Sequence, residues 1–243
     1  MTEKIFVATD VGGTFTDLVC FSEDSETGVQ QLKTAKSDTT PPNFEQGVLN
    51  VLEKANVNAQ DIDIMAHGTT VVINALTERK GAVTALITTQ GFRDVLEIGR
   101  GDRPDFFNLN YQKPEPYVPR FLRFQIQERM SYKGEIEQLL NLDTLPEILE
   151  KMKAEGVEAI AICLLNAYIN PCHEKEIAAA ILAHSPDLEI ICSHQVSREW
   201  REYERTSTAV LSAYVQPVAS RYLEKLNRGL IERDFDGQLY VMQ

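Results

Sequence analysis

The 243-residue sequence predicts an α/β protein with a mixed sheet, one that contains both antiparallel and parallel strands. Two β-prone runs at residues 5–10 and 16–21 flank a glycine turn, which is typical of a hairpin. Two apolar runs at residues 159–164 and 188–192 flank a helical segment, and this spacing favours parallel pairing with a right-handed crossover. Hydrophobic residues make up 43% of the chain, so a packed core is expected.

The other elements follow from apolar periodicity and turn residues. The further predicted strands are 29–35, 62–67, 83–88 and 239–243, and the predicted helices are 41–55, 70–79, 145–155, 172–183 and 196–233. Gly81 is the predicted C-cap of the helix over 70–79. Pro217 predicts a kink or an interruption in the last helix. Four prolines, the last at Pro119, argue against long regular elements between residues 92 and 140.

The sequence predicts three segments. Residues 1–140 form an N-terminal lobe with the glycine hairpin and a proline- and aromatic-rich insertion, and residues 141–195 continue it as a βαβ unit. Residues 196–243 form a helical entry to a following lobe. Because the final β-prone run is apolar, an interrupted strand is favoured there over a solvated tail.

The composition excludes several classes of partner. Lysine and arginine number 24 and aspartate and glutamate 36, so the formal net charge is −12. An acidic surface repels nucleic-acid phosphates and anionic lipid, and neither is an expected general partner. The first residues lack the basic start and apolar stretch that are typical of a signal peptide, and no apolar run approaches about 20 residues. Four cysteines without a C-x-x-C pair are too sparse for a disulfide scaffold, so a cytoplasmic protein is predicted.

The strongest chemical signal is the segment from Asp10 to Asp17 between the first two strands. The paired glycines Gly12 and Gly13 let backbone N–H groups approach an anion, and the hydroxyls of Thr14 and Thr16 add hydrogen bonds. Asp10, at the end of the first strand, suits Mg²⁺ held through water. The competing interpretation is a structural glycine turn with a capping aspartate. The surrounding D-x-G-G-T-x-T-D pattern favours phosphate binding.

A second anion-binding geometry is predicted where a strand leads through His67, Gly68, Thr69 and Thr70 into a helix. Helix capping by Thr69 would also explain this pattern. His67 alone is more often a packed imidazole at a strand end than a ligand-binding group.

Arg93, Arg100 and Arg103 form a third candidate, since arginine recognises carboxylates and phosphates with paired hydrogen bonds. Salt bridges to nearby carboxylates explain them equally well. The Glu- and Arg-rich run at 198–208 is typical of an exposed helix. Cys172-His173 and Cys192-x-His194 match no zinc spacing, so structural or surface roles are expected for these four residues.

Five collinear segments, at residues 10–17, 67–82, 86–105, 170–176 and 201–223, form one pattern. They read DVGGTFTD, HGTTVVINALTERKGA, LITTQGFRDVLEIGRGDRPD, NPCHEKE and REYERTSTAVLSAYVQPVASRYL. The pattern resembles the hydantoinase A / 5-oxoprolinase / acetone carboxylase α-subunit family, whose chains continue well past Gln243. The resemblance implies a ribonuclease-H-like (actin-like ATPase) N-terminal lobe with a second βαβ-containing region.

The resemblance also implies ligands, partners and site residues. It implies ATP and Mg²⁺ as cofactors, a cyclic amide as substrate, a B-type hydantoinase subunit or domain as partner, and an oligomer. It assigns the phosphates to Asp10, Gly12, Gly13, Thr14 and Thr16, with Asp10 also as the catalytic Mg²⁺ residue. It assigns the nucleotide or substrate cleft to His67, Gly68, Thr69 and Thr70, and leaves Arg93, Arg100 and Arg103 for substrate or partner.

Three functions stay open at this point. The first is the N-terminal part of an ATP-dependent cyclic amidohydrolase that phosphorylates the amide oxygen before ring opening. The second is the α-type subunit of an ATP-dependent ketone carboxylase. The third is a non-catalytic, partner-binding module. In each case we expect the isolated chain to be inactive.

Overall fold

The computed structural model describes residues 3–24, 27–101, 105 and 107–242, so the candidate Arg103 lies outside the described residues. The chain divides into two units, one formed by residues 1–80 and 218–243 and the other by residues 81–217. These boundaries differ from the three segments expected above, and that domain division stays a prediction. In the described residues, no helix is both long enough and apolar enough to cross a membrane.

The described residues form ten strands and seven α-helices. The strands are β1 (Glu3–Val11), β2 (Phe15–Asp24), β3 (Gln30–Asp38), β4 (Ile64–Thr69), β5 (Thr84–Thr89), β6 (Arg123–Met130), β7 (Ile136–Asn141), β8 (Ala159–Cys163), β9 (Glu189–Cys192) and β10 (Gln238–Val241). The helices are α1 (Phe44–Lys54), α2 (Val71–Thr77), α3 (Val95–Ile98), α4 (Leu145–Ala154), α5 (Cys172–His184), α6 (Ser193–Val196) and α7 (Glu202–Ile231).

The first unit is built on a five-stranded sheet of order β10-β4-β1-β2-β3. β1, β2 and β3 pair antiparallel, whereas β4 is parallel to β1 and β10 is parallel to β4. Alternate residues of β2, including Leu18 and Cys20, are buried, as expected for a strand with one covered face. The core beneath them receives Val48 and Val51 of α1 and Leu226 of α7.

The second unit is built on a sheet of order β7-β6-β5-β8-β9, in which only the β6–β7 pair is antiparallel. Every residue of β5 and β8 is buried. Continuous burial of this kind is typical of central parallel strands covered on both faces. The α/β class and the mixed pairing predicted from the sequence are therefore confirmed in both units.

Several predicted elements need correction. Residues 92–140 contain β6 and β7, because the last proline of that region, Pro119, precedes them. α7 continues through Pro217 without an interruption, and the helical segment breaks instead between α6 and α7. Within the described chain, β10 is an edge strand on β4 of the first sheet.

Gly81 is not the residue that ends α2. The helix stops at Thr77, and Arg79 takes the left-handed conformation with φ 54°. Gly81 has a different reason to be glycine: a Cβ there would lie 2.2 Å from the Tyr214 ring.

Candidate functional site

The turn between β1 and β2 leaves two backbone donors exposed. The Gly12 N–H donates to the Phe15 carbonyl oxygen at 2.9 Å, which closes the turn. Thr39 anchors the turn from one side, since its N–H donates to the Thr14 oxygen and its hydroxyl to the Gly12 oxygen, each at 2.9 Å. Over the described chain, the N–H groups of Gly13 and Thr14 have no acceptor. A fixed turn with two open donors is a suitable cradle for an anion.

Asp10 lies at the exposed carboxyl end of β1, directly beside β4. The parallel register pairs Asp10 with Gly68, and a Cβ at Gly68 would lie 3.0 Å from the Asp10 Oδ1 atom. Because residue 68 is a glycine, the Asp10 carboxylate can lie over the end of β4 without crowding by a Cβ atom. Ligands of α/β sheets commonly bind at the carboxyl ends of neighbouring parallel strands. An exposed carboxylate there has the chemistry of a Mg²⁺ ligand.

Thr69 and Thr70 tie the start of α2 to β1. The N–H and the hydroxyl of Thr70 both donate to the Val11 carbonyl oxygen at 3.0 Å. The Thr69 hydroxyl accepts a hydrogen bond from the Val71 N–H at 3.2 Å. Both hydroxyls thus bond to backbone groups, but the predicted cap by Thr69 is wrong: the N-cap residue of α2 is Thr70, and it makes no side-chain capping hydrogen bond. The candidate anion site therefore rests on the hairpin amides and Asp10, while α2 is only seven residues long.

Thr16 does not share the exposed face of the hairpin. Its side chain is fully buried, with its hydroxyl 3.4 Å from that of Thr39. A Cβ at Gly47 of α1 would lie 2.8 Å from the Thr16 Oγ1 atom, so the helix packs closely on this hydroxyl. A direct phosphate contact by Thr16 stays a prediction. The burial of its side chain does not favour such a contact.

His67 is fully buried beneath the strand ends. Its Nδ1 atom lies 2.8 Å from the Thr9 hydroxyl oxygen and its Nε2 atom 2.7 Å from the Tyr222 hydroxyl oxygen. Burial lowers the pKa of His67 from 6.5 to about 4, against the opposing influence of the Asp10 charge. This is the packed imidazole that the sequence left open. A substrate contact by His67 stays a prediction.

Gly68→Ala is expected to weaken Mg²⁺-dependent nucleotide binding by about tenfold, because the new Cβ displaces the Asp10 carboxylate. Affinity measured by titration, with circular dichroism to verify folding, tests this expectation. An unchanged affinity in the folded variant would show that the close approach has no functional consequence.

The buried His67 predicts a pH dependence of stability. Between pH 6.5 and about pH 4 the unfolded imidazole binds a proton that the folded one does not, so stability falls as the pH is lowered. The expected loss is about 3 kcal/mol over that range. Urea unfolding of the wild type and His67→Gln at pH 7.5 and pH 4.5 would measure it. Equal losses in both proteins would contradict the assignment.

The candidate arginines belong to the second unit. Arg100 forms an ion pair, but with Glu204, 104 positions away, and not with one of the nearby carboxylates that the salt-bridge interpretation expected. Arg93 has a buried Nε atom without a hydrogen-bond partner in the described residues. Its neighbour Asp94 is bound instead by Arg120, at 2.8 and 3.0 Å, and this bond holds the pKa of Asp94 below its usual value. The roles of the three arginines toward a substrate stay predictions.

A buried carboxylate that the sequence analysis missed lies in the first turn of α5. Glu174 accepts hydrogen bonds from the Leu164 N–H at 3.0 Å, the Ser193 hydroxyl at 2.6 Å and the His194 N–H at 3.2 Å. Its Oε2 atom also lies 2.6 Å from the His194 Nδ1 atom. The preceding residue, His173, contacts the buried Glu128 at 2.9 Å.

Glu174, Cys192 and His194 place ligand atoms within 4.8 Å of one another, and such a group could hold a metal ion. Both oxygens of Glu174 are already used by the four hydrogen bonds above. Burial and the Glu174 charge raise the pKa of the Cys192 thiol to about 12. These contacts account for the cluster as a structural network.

The fold and the strand-end geometry define an α/β protein with two mixed sheets, whose first sheet presents a carboxylate beside a glycine turn. The family model described as the hydantoinase/oxoprolinase N-terminal region matches residues 6–185. The chain therefore belongs to the hydantoinase/oxoprolinase family.

Individual relatives agree with this assignment. The caprolactamase subunit alpha of Pseudomonas jessenii is 33% identical over 229 residues, which cover 90% of this chain and 32% of the relative. The acetophenone carboxylase gamma subunit of Aromatoleum aromaticum is 35% identical over 228 residues, which cover 85% and 30%.

A solved structure shows the same fold. The crystal structure of the ATP-dependent caprolactamase from Pseudomonas jessenii matches with a TM-score of 0.83 at 30% identity, covering 98% of this chain and 35% of that one. The chain thus spans about a third of the length of the relatives that it matches.

Proposed function

We propose that this chain is the phosphate-binding N-terminal part of an ATP-dependent cyclic amidohydrolase of the hydantoinase/5-oxoprolinase type. The observation that carries the proposal is the arrangement at the end of β1. The Asp10 carboxylate stands over Gly68, beside a turn whose Gly13 and Thr14 N–H groups have no acceptor among the described residues. One carboxylate and two open amides match the needs of a metal–triphosphate group.

The charge balance of the chain makes this local arrangement important. A protein with net charge −12 repels a nucleotide unless donors are placed at the binding position. The hairpin supplies such donors from the backbone, without a lysine. Asp10 would hold Mg²⁺ through water, and the metal in turn neutralises the phosphate charge.

ATP, when bound, supplies the phosphoryl group that activates the amide oxygen before water opens the ring. The amide needs this activation because resonance stabilises its carbonyl group. In this reaction, the residues of this chain would position the phosphates and the metal and would place charge beside them. The hairpin amides would orient the phosphate oxygens, and Asp10 would orient the metal. Separately, Arg93, Arg100 and Arg103 stay candidates for contact with a substrate or a partner. The general base is left to the longer protein or to a partner subunit.

The relatives support ATP use and subunit partners. One is named an ATP-dependent caprolactamase, and two are named as subunits of larger enzymes. We extend both features to this chain, with a B-type hydantoinase subunit as its partner in an oligomer. The similarity to the acetophenone carboxylase gamma subunit favours a second candidate function, an ATP-dependent ketone carboxylase.

The longer protein, assembled with its B-type partner, distinguishes the candidates. ATP hydrolysis stimulated by 5-oxoproline or a hydantoin without bicarbonate is the expected result. Stimulation that requires a ketone and bicarbonate would identify the carboxylase instead. A folded complex with neither response would indicate the partner-binding module.

A further inference from the structure

Tyr222 on α7 is a buried residue that reaches the candidate phosphate site from outside its two motifs. Its hydroxyl oxygen lies 2.7 Å from the His67 Nε2 atom, although 155 positions separate the two residues. The side chain is only 5% exposed, and its ring centroid lies 5.7 Å from that of His67. Burial raises the pKa of the Tyr222 hydroxyl, and the Thr69 side chain opposes this shift.

These contacts form a chain of hydrogen bonds beneath the strand ends. It runs from Thr9 of β1 through His67 of β4 to Tyr222 of α7. Thr9 immediately precedes Asp10, and His67 immediately precedes Gly68. Two members of this hydrogen-bonded series therefore lie next to the two residues whose close approach fixes the Asp10 carboxylate.

Neither nitrogen of His67 is available to a ligand. Both contact hydroxyl groups, and the imidazole is fully buried. In a neutral imidazole one nitrogen donates and the other accepts, and a hydroxyl can take either role, so the two hydroxyls satisfy both nitrogens and fix the ring orientation. Without the Tyr222 hydroxyl, a buried ring nitrogen would be left unpaired, and the ring would lose the contact that fixes its rotation.

We propose that Tyr222 is a positioning residue of the phosphate site: its hydroxyl orients His67, and His67 orients the strand ends that carry Asp10 and Thr69. The proposal rests on the proposed function, because it assigns Tyr222 to the same metal–nucleotide site. Tyr222 itself touches neither the metal nor the nucleotide. Partners hydrogen-bonded directly to a metal-binding group typically change metal affinity by about tenfold to a hundredfold, so for a partner that acts through the strand we expect the lower end of that range.

Tyr222→Phe is the decisive variant, because it removes the hydroxyl and keeps the ring that packs on His67. The dissociation constant for Mg²⁺·ATP is measured from amide NMR shifts of this chain, and the ring-nitrogen signals of His67 are recorded without nucleotide. We expect the dissociation constant to rise about tenfold and the His67 signals to shift. A purely structural tyrosine would lower the melting temperature and leave the affinity of the folded protein unchanged.

Tyr214→Phe is the matched control. Tyr214 lies on the same helix, is 7% exposed, and packs on Tyr117 within the second unit. This variant should bind Mg²⁺·ATP as the wild type does and leave the His67 signals in place. Equal affinities of Tyr222→Phe and Tyr214→Phe would overturn the proposal.

Thr9→Val keeps the test decisive if Tyr222→Phe does not fold. It cuts the same chain of hydrogen bonds at its other end with a side chain of the same shape, and a similar loss of affinity is expected. An unchanged affinity would contradict the positioning role. If the wild type gives no amide shifts with Mg²⁺·ATP, the proposed function fails and this proposal fails with it. If the wild type binds and the variants bind equally, only this proposal fails.

Discussion

Asp10→Asn should remove Mg²⁺-dependent nucleotide binding from a protein that still folds. The side chain is exposed at the end of β1, so the substitution removes a charge without opening a cavity. An asparagine keeps the shape beside Gly68 but attracts Mg²⁺ much less than a carboxylate does. We expect a loss of at least about a hundredfold in Mg²⁺·ATP affinity, and Asp10→Ala should abolish turnover in the complete enzyme.

Asp17→Asn controls for charge alone. Asp17 pairs with Asp10 across the hairpin, and its carboxylate lies 3.1 Å from the Lys36 ammonium group. Because Lys36 already neutralises it, the change should alter affinity only slightly. Wild-type affinity in a folded Asp10→Asn protein would remove Asp10 from the mechanism. Equal losses in both variants would show that the loss of affinity is not specific to position 10.

The largest loss of stability is expected for Glu174→Ala. The substitution leaves the Leu164 N–H, the Ser193 hydroxyl and the His194 N–H without their acceptor in a buried position. Unpaired buried donors cost about 1–3 kcal/mol each before relaxation. We expect a total loss of about 3–5 kcal/mol in the free energy of unfolding, measured by urea denaturation.

Glu176→Ala is the control for that variant. Glu176 lies on the same helix but is exposed, so its removal should change stability by no more than about 0.5 kcal/mol. A loss for Glu174→Ala no larger than that of Glu176→Ala would contradict the structural role of the buried carboxylate.

The local features of the first unit could be predicted because they depend on neighbouring residues. Alternation around the glycine turn predicted β1 and β2, and the helical spacing of Val48 and Val51 predicted α1. The same alternation contained one signal that was not used: Thr16 is in phase with Leu18 and Cys20, whose side chains are buried. The alternation of β2 would therefore have predicted that the Thr16 hydroxyl lies on the buried face of the sheet.

The geometry of the site could not be predicted from local pattern. Asp10 lies beside Gly68 only because β1 and β4 pair in parallel in one particular register. The two residues are 58 positions apart in the sequence, so no local pattern predicts this contact. Tyr222 reaches His67 from the far end of the chain, and Glu174 gains its partners from Leu164, directly after β8, and from α6. Each of these contacts depends on tertiary packing. Glu174 and Tyr222 lie in the family segments at 170–176 and 201–223, but nothing in those segments indicates their contacts.

Titration of the isotope-labelled chain with Mg²⁺·ATP tests the central claim most directly. We expect weak binding, with the largest amide shifts at Gly13 and Thr14 and with no response in Asp10→Asn. Shifts confined to other parts of the chain, or none at Gly13 and Thr14 at saturating nucleotide, would contradict a phosphate site at this hairpin.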